Sequence, residues 1–103
     1  MSDKLGTNRF GPGYSLADTP AHAQAEYLNR TGTLPERIIQ VEARLTKNLK
    51  VGGPLAERPI SRWIGAAVRA SGGSITYGAF APGAEGGINY VLFDPKNQVL
   101  SQQ

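Results

Sequence analysis

The sequence predicts a small single domain of the α+β class that spans residues 1–103, with a mixed β-sheet and two helices. A chain of 103 residues can bury one modest core, which rules out larger architectures. Segments with strand and helix patterns follow one another in the order β-α-β-α-β-β. The 13 glycines and 7 prolines fall largely between these segments and indicate many turns joining short elements.

The first helix is predicted from its start and stop signals. Thr19 is a favoured N-cap residue, and Pro20 suits the first helical position. We therefore expect a helix from Pro20 to about Asn29. The segment Thr31-Gly32-Thr33 is expected to end it.

The second helix is predicted from about Pro59 to Ala70 on the spacing of its apolar residues. They recur at intervals of three and four, as on one face of a helix. The members of this stripe are Ile60, Trp63, Ile64, Ala67 and Val68. Trp63 is therefore expected in the core, and Ser71-Gly72-Gly73 is expected to stop the helix.

The clearest predicted strand runs from Arg37 to Thr46. Apolar and polar residues alternate along it, as in a strand with one buried and one solvated face. Its apolar members are Ile39, Val41, Ala43 and Leu45. We expect these four side chains to share one core with the apolar stripe of the second helix.

Three shorter strands complete the predicted sheet. Tyr14–Ala17 precedes the first helix and follows a turn at Gly11-Pro12-Gly13. Ile75–Tyr77 follows the second helix. Ile88–Phe93 is rich in β-forming residues, so it is expected at the centre of the sheet.

Composition excludes several kinds of site. The absence of cysteine rules out disulfides, thiol catalysis and thiolate zinc sites. His22 is the only histidine, so we expect no metal site. The net charge of +3 is scattered and fits an anionic small molecule or RNA.

No apolar run approaches the ~20 residues of a membrane span, and Met1-Ser2-Asp3-Lys4 lacks the pattern of a signal peptide. We therefore expect no membrane association and no leader.

Two places in the sequence carry candidate chemistry. His22 and Glu26 are four residues apart on the first helix and therefore share a face. They form either a solvent-facing pair, or a site in which Glu26 points into a cleft with Arg9 and Tyr14. Arg9 lies just before Gly11-Pro12-Gly13, and a guanidinium beside a glycine turn suits phosphate binding through its fork and backbone N–H donors.

Four segments, taken in order, are similar to a known group of proteins. From Asn8 to Glu26, an Arg-aromatic-glycine turn leads to a Tyr, Pro, Ala and Glu pattern. Leu34–Leu45 looks like the strand that follows in that group, Ile64–Ala70 like its closing helix, and Gly86–Asp94 like its closing strand. The set resembles the RES-domain toxins and the ADP-ribosyltransferase-like toxin tips at the ends of bacterial Rhs and contact-dependent polymorphic toxins.

The resemblance implies an ADP-ribosyltransferase-like fold that binds NAD as substrate. Arg9 would hold the NAD phosphates beside the turn that includes Gly13, and Tyr14 would lie along the nicotinamide. All three are therefore candidate substrate-binding residues.

The resemblance also implies catalytic candidates. Glu26 matches the helix glutamate of the RES group. Asn89 occupies the closing strand, where many transferases place their catalytic glutamate. Glu85 is the alternative carboxylate, since its glycine-rich loop comes directly before that strand. A carboxylate near the ribose would stabilise the oxocarbenium-like state through which glycosidic bonds break.

These expectations describe an NAD-consuming bacterial toxin, either an ADP-ribosyltransferase or an NAD hydrolase, that cleaves the nicotinamide–ribose bond. The resemblance further implies two kinds of partner, a cognate immunity or antitoxin protein and a possible macromolecular acceptor. It also implies action in the bacterial cytoplasm of a target or producing cell. One alternative is a non-catalytic binding module on the same scaffold that contacts a protein partner. Another is an RNase toxin, for which His22 supplies half of the usual acid–base pair.

Overall fold

The structure is a computed structural model that describes residues 6–8, 10–52, 59–78, 83 and 85–102. The elements in chain order are β1 (Gly6–Asn8), β2 (Gly11–Ala17), α1 (Pro20–Thr31), β3 (Val41–Ala43), β4 (Asn48–Val51), α2 (Ser61–Ala70), β5 (Ser74–Gly78), β6 (Ile88–Leu92), α3 (Pro95–Gln98) and β7 (Val99–Gln102). They form one α+β domain with two main helices, which confirms the predicted class. Neither these helices nor any other described one is long and apolar enough to cross a membrane.

Five strands form a mixed sheet in the order β1-β2-β6-β5-β4. Neighbours are antiparallel except β4 and β5, which run parallel. The central position of β6 confirms the prediction made for Ile88–Phe93. Helix α1 also follows the prediction closely: the Thr19 hydroxyl accepts the His22 N–H at 3.1 Å, and Gly32 closes the helix with a positive φ of 78°.

The segment Gly11-Pro12-Gly13 is a strand rather than the predicted turn. It forms the start of β2 and pairs with β1, with Gly13 opposite Gly6 and Gly11 opposite Asn8. The hairpin therefore turns before Gly11, whose φ of 93° is readily adopted only by glycine. Pro12 is tolerated because it lies outside the part of β2 that pairs with β6, which begins at Tyr14.

The prediction of a long strand over Arg37–Thr46 was wrong in length and in partner. Only Val41–Ala43 is a strand, and it pairs with β7 in a separate two-stranded sheet. The strand that joins the main sheet from this part of the chain is β4. Ile39, Val41 and Ala43 are half-buried outside the main core, and Leu45 is exposed. The alternation of apolar and polar residues predicted a half-buried strand, but it did not predict which strand would pair with it.

The core lies between α2 and the face of the sheet that carries Ile75 and Val91. Its buried members are Phe10, Val51, Val68, Ile75, Val91 and Phe93, with Ile64 and Tyr77 packed against them. The rings of Phe10 and Tyr77 meet edge to face at 5.0 Å. Val68 and Ile64 therefore confirm part of the predicted stripe.

The placement of Trp63 in the core was wrong, because 78% of its surface is exposed. Ala67 is exposed as well. Helix α2 instead buries Ser61, Gly65 and Val68. A Cβ built at Gly65 would overlap the Phe10 carbonyl oxygen, so the helix backbone lies directly on the Phe10 backbone. This close approach turns Ser61 and Gly65 toward the sheet and leaves Trp63 outside.

The buried Gln98 side chain ties the C-terminal segment to the main sheet. Its Nε2 donates to the Thr46 hydroxyl at 2.8 Å and to the Gly73 carbonyl at 3.0 Å, while its Oε1 accepts the Asp94 N–H at 2.8 Å. All amide protons and the carbonyl of this side chain thus have partners, as a buried amide requires. Neither Gln98 nor β7 was predicted to have a structural role.

Candidate functional site

Four polar side chains form a continuous hydrogen-bonded group, called here the His22 cluster: Asp18, His22, Glu26 and Asn89. Asp18 Oδ1 lies 2.6 Å from His22 Nδ1, and His22 Nε2 lies 3.1 Å from Glu26 Oε1. Asn89 Nδ2 donates to the same Glu26 oxygen at 3.2 Å. The Glu26 carboxylate is therefore held from two sides by groups on two different elements.

Local sequence positions three members of the cluster. His22 and Glu26 are four residues apart on α1 and so share a face, and Asp18 lies just before the helix, four residues before His22. The Asp18 N–H donates to the Ile88 carbonyl at 3.2 Å and so joins the beginning of the helix to β6. Asn89 is the next residue of β6 and lies opposite Ala17 in the sheet register. The start of α1 and the central strand β6 thus meet at the cluster.

The imidazole ring of His22 lies between two carboxylates. Both ring nitrogens of His22 face carboxylate oxygens, which only accept hydrogen bonds when ionised. A ring nitrogen that carries a proton therefore donates to the carboxylate it faces. His22 is only 4% exposed, so this ring acts as a buried bridge between the two carboxylates.

The pKa of Asp18 lies below its ordinary value of 3.8, chiefly because its carboxylate is hydrogen-bonded to His22 and further because it is near the backbone of Ile88. A pKa lowered by folding means that the ionised form favours the folded state. Asp18 therefore adds stability above its ordinary pKa, and this contribution is lost as the pH falls through the folded value.

The variant Asp18→Asn is expected to melt at a lower temperature than the wild type at pH 7. The gap should shrink as the pH falls from about 5 toward 2, because protonation removes the same charge from the wild type. Thermal melts over this range check the expectation, with Glu36→Gln as a control at an exposed carboxylate. If the gap between Asp18→Asn and wild type is independent of pH, Asp18 does not act through its charge.

A cleft of about 280 Å³ opens beside the cluster, between the start of α1 and the glycine-rich loop. Its lining residues are Asp18, Thr19, Ala21, His22, Gly83, Glu85, Gly86 and Gly87. Glu85 is exposed, and its Oε1 accepts the Gly83 N–H at 3.1 Å. Hydrogen bonds from the N–H of Glu85 itself and from Gly83 lower the pKa of the Glu85 carboxyl. Glu85 is therefore ionised at neutral pH.

The structure brings together some of the predicted site residues. Glu26 and Asn89 are hydrogen-bonded, and Glu85 lines the cleft together with His22. Arg9 lies outside the described residues. The Glu26 side chain is 36% exposed, so it is accessible while being held by its partners.

Tyr14 does not share a cleft with Glu26, which corrects the prediction for that residue. Tyr14 lies opposite Leu92 and Ala17 opposite Asn89 in the same register, so Tyr14 and Asn89 point to opposite faces of the sheet. Tyr14 lines a second cavity of about 240 Å³, with Pro95, Lys96, Val99 and Gln102. Gly13 is buried in β2, next to Tyr14 and opposite Gly6.

The solvent-facing interpretation of the His22–Glu26 pair was also wrong, since His22 is buried. Asp18 precedes His22 by the same four residues that separate His22 from Glu26. That repeated spacing was the available signal for a three-residue group. Its fourth member comes from a strand 63 positions away from Glu26.

Among the residues that the structure describes, no group of three or more His, Asp or Glu side chains is placed to hold a metal ion. The cluster is thus a set of hydrogen-bonded acids, amide and imidazole, suited to positioning charge. No protein-family model, curated protein or solved structure matches the chain.

Proposed function

We propose that this chain is an NAD-consuming enzyme that cleaves the bond between nicotinamide and ribose. The observation that carries the proposal is the Glu26 carboxylate, which is partly exposed and is held by His22 and Asn89 at 3.1 and 3.2 Å. Its partner His22 lines the cleft, although Glu26 itself is not one of the lining residues. A fixed carboxylate at an accessible position is the group that an oxocarbenium-like ribosyl cation requires. The proposal includes the ADP-ribosyltransferase-like fold that the sequence resemblance implies.

The proposed reaction breaks the glycosidic C–N bond of NAD. The bonding electron pair leaves with the pyridine nitrogen, so nicotinamide departs as a neutral molecule and positive charge develops on the ribosyl carbon. Glu26 would stabilise that charge. A nucleophile then adds to the carbon and loses a proton: water gives ADP-ribose, and an acceptor group gives an ADP-ribosylated macromolecule.

The other members of the His22 cluster would act by positioning Glu26. Asn89 is buried and donates to the Glu26 oxygen, and His22 is fixed in turn by Asp18. Because these partners hold the carboxylate before substrate arrives, little reorganisation is needed when charge develops. Asn89 thus retains its proposed place in the site as a positioning residue for Glu26.

The proposal keeps only some of the substrate-binding residues that the sequence resemblance implies. Arg9 remains the proposed phosphate ligand on the strength of its guanidinium and the sequence resemblance. Tyr14 lies on the other face of the sheet from Asn89, so the present proposal leaves Tyr14 and Gly13 out of nicotinamide binding. Glu85 borders the cleft and is the alternative catalytic carboxylate.

The proposed setting is that of a bacterial toxin domain with a cognate immunity protein, acting in the cytoplasm of a target or producing cell. The test of the reaction follows both halves of NAD. The chain is incubated with NAD labelled in the adenosine half, with and without bacterial lysate, and products are separated by size and chromatography.

Free nicotinamide together with free ADP-ribose is the result expected of a hydrolase. Free nicotinamide together with label on protein or nucleic acid is the result expected of a transferase. If label stays in intact NAD under both conditions, the proposed function is wrong. The non-catalytic binding module then becomes the leading account, because α2 exposes a large apolar side chain, Trp63, that contributes little to the core.

A further inference from the structure

The outer surface of α2 presents an apolar stripe to solvent, called here the α2 outer face: Ile60, Trp63, Ala66, Ala67 and Ala70. All five residues are exposed, with Trp63 at 78% and Ile60 at 48%. Their spacing of three and four residues places them side by side along the helix. A tryptophan side chain is a large apolar surface to leave in water, and contiguous exposed apolar surface typically marks an interaction site.

The orientation of this stripe is set by the core. Gly65 lies on the Phe10 backbone without room for a Cβ, and Val68 is buried in the same direction. Rotating α2 to bury Trp63 would carry Gly65 away from Phe10 and bring a larger residue onto that backbone. The apolar stripe therefore stays outside in the folded chain.

The charges along the stripe are of one sign. Arg62 and Arg69 are exposed and lie seven residues apart, so they flank the same side of the stripe. The sequence of α2 contains no Asp or Glu. A complementary surface therefore combines an apolar groove with carboxylates along one rim. Trp and Arg are also the residue types that most often dominate the binding energy of protein interfaces.

We propose that the α2 outer face is a docking surface for an acidic protein partner, which lays an apolar groove or helix over Trp63 and places carboxylates beside Arg62 and Arg69. Alanines and Ile60 surround the tryptophan, which favours packing against a protein. Platforms for single-stranded nucleic acid instead use several aromatic side chains along a basic groove. The inference is independent of the proposed NAD chemistry.

A designed probe tests the surface without a known partner. The probe is a synthetic amphipathic helical peptide without tryptophan, with a leucine stripe flanked by glutamates. Its matched control has lysines in place of those glutamates. Trp63 is the only tryptophan of the chain, so its fluorescence reports binding at this face directly.

The acidic peptide is expected to shift the Trp63 emission to shorter wavelength in a saturable way. Binding should be about tenfold weaker or more for the lysine peptide and for the double variant Arg62→Glu and Arg69→Glu. The double variant should in turn prefer the lysine peptide. Thermal melts confirm that it is folded, and nicotinamide release from NAD should be unchanged in it.

Three outcomes would overturn the inference. They are no saturable response to the acidic peptide, equal binding of both peptides, and equal binding of the acidic peptide by wild type and double variant. A single-stranded oligonucleotide is titrated in parallel. If the oligonucleotide changes the Trp63 fluorescence at a lower concentration than the acidic peptide does, the face binds nucleic acid rather than protein.

Discussion

Replacing Glu26 by glutamine is expected to lower the rate of nicotinamide release from NAD by about 10²–10³-fold, the usual effect of removing one positioned electrostatic group. Glutamine retains the shape of the side chain and an oxygen that accepts from Asn89, so the contacts across the cluster are largely kept. What is lost is the negative charge that would stabilise the ribosyl cation. The variant should therefore fold and melt close to the wild type.

The matched control for this substitution is Glu85→Gln. Glu85 lines the cleft next to the cluster, and its carboxylate is exposed and bonded to its own loop. We expect this variant to keep most of the wild-type rate. If the loss of activity follows Glu85 instead of Glu26, the catalytic carboxylate lies on the glycine-rich loop. If neither substitution matters in an active protein, the cluster is structural only.

Replacing Gly65 by alanine is expected to destabilise the fold by about 3 kcal/mol, or roughly 10–20 °C in melting temperature for a domain of this size. The added Cβ would overlap the Phe10 carbonyl oxygen and lie 2.8 Å from the Phe10 Cβ, so α2 must move off the sheet. Helix propensity alone predicts the opposite sign, because alanine favours helix over glycine by about 1 kcal/mol. Thermal or denaturant unfolding decides between the two.

Gly78→Ala serves as the control for the loss of a glycine. Gly78 lies at the end of β5, and a Cβ there meets no atom within 4 Å. Its melting temperature should stay near that of the wild type. A Gly65→Ala variant as stable as Gly78→Ala would contradict the close packing of α2 on Phe10, and with it the outward orientation of Trp63.

Features with local causes were predictable from the sequence. Thr19, Pro20 and Gly32 act on their own neighbours, so both ends of α1 came close to their observed positions. The apolar run of β6 requires burial on both sides, which only the centre of the sheet provides. Where the place of a segment in the fold depends on a distant partner strand, the sequence pattern was not enough to predict it. The segment around Val41 alternates correctly, yet its partner β7 lies near residue 100.

The same distinction between local and distant causes explains which parts of the candidate site were predictable. Three members of the His22 cluster follow from a repeated four-residue spacing, but the burial of His22 and the arrival of Asn89 depend on how α1 meets β6. Trp63 was misplaced for a related reason. Apolar spacing indicates which residues share a helix face, while the contact between Gly65 and Phe10 decides which face lies on the sheet.

The most direct measurement of the central proposal is the amount of nicotinamide released from NAD over time by the purified chain, with and without bacterial lysate. Glu26→Gln is run in parallel at the same concentration, and melts establish that both proteins are folded. The account predicts many nicotinamide molecules released per wild-type molecule under at least one condition and a rate about 10²–10³-fold lower for Glu26→Gln. Release at the background rate by folded wild-type protein under both conditions would contradict it.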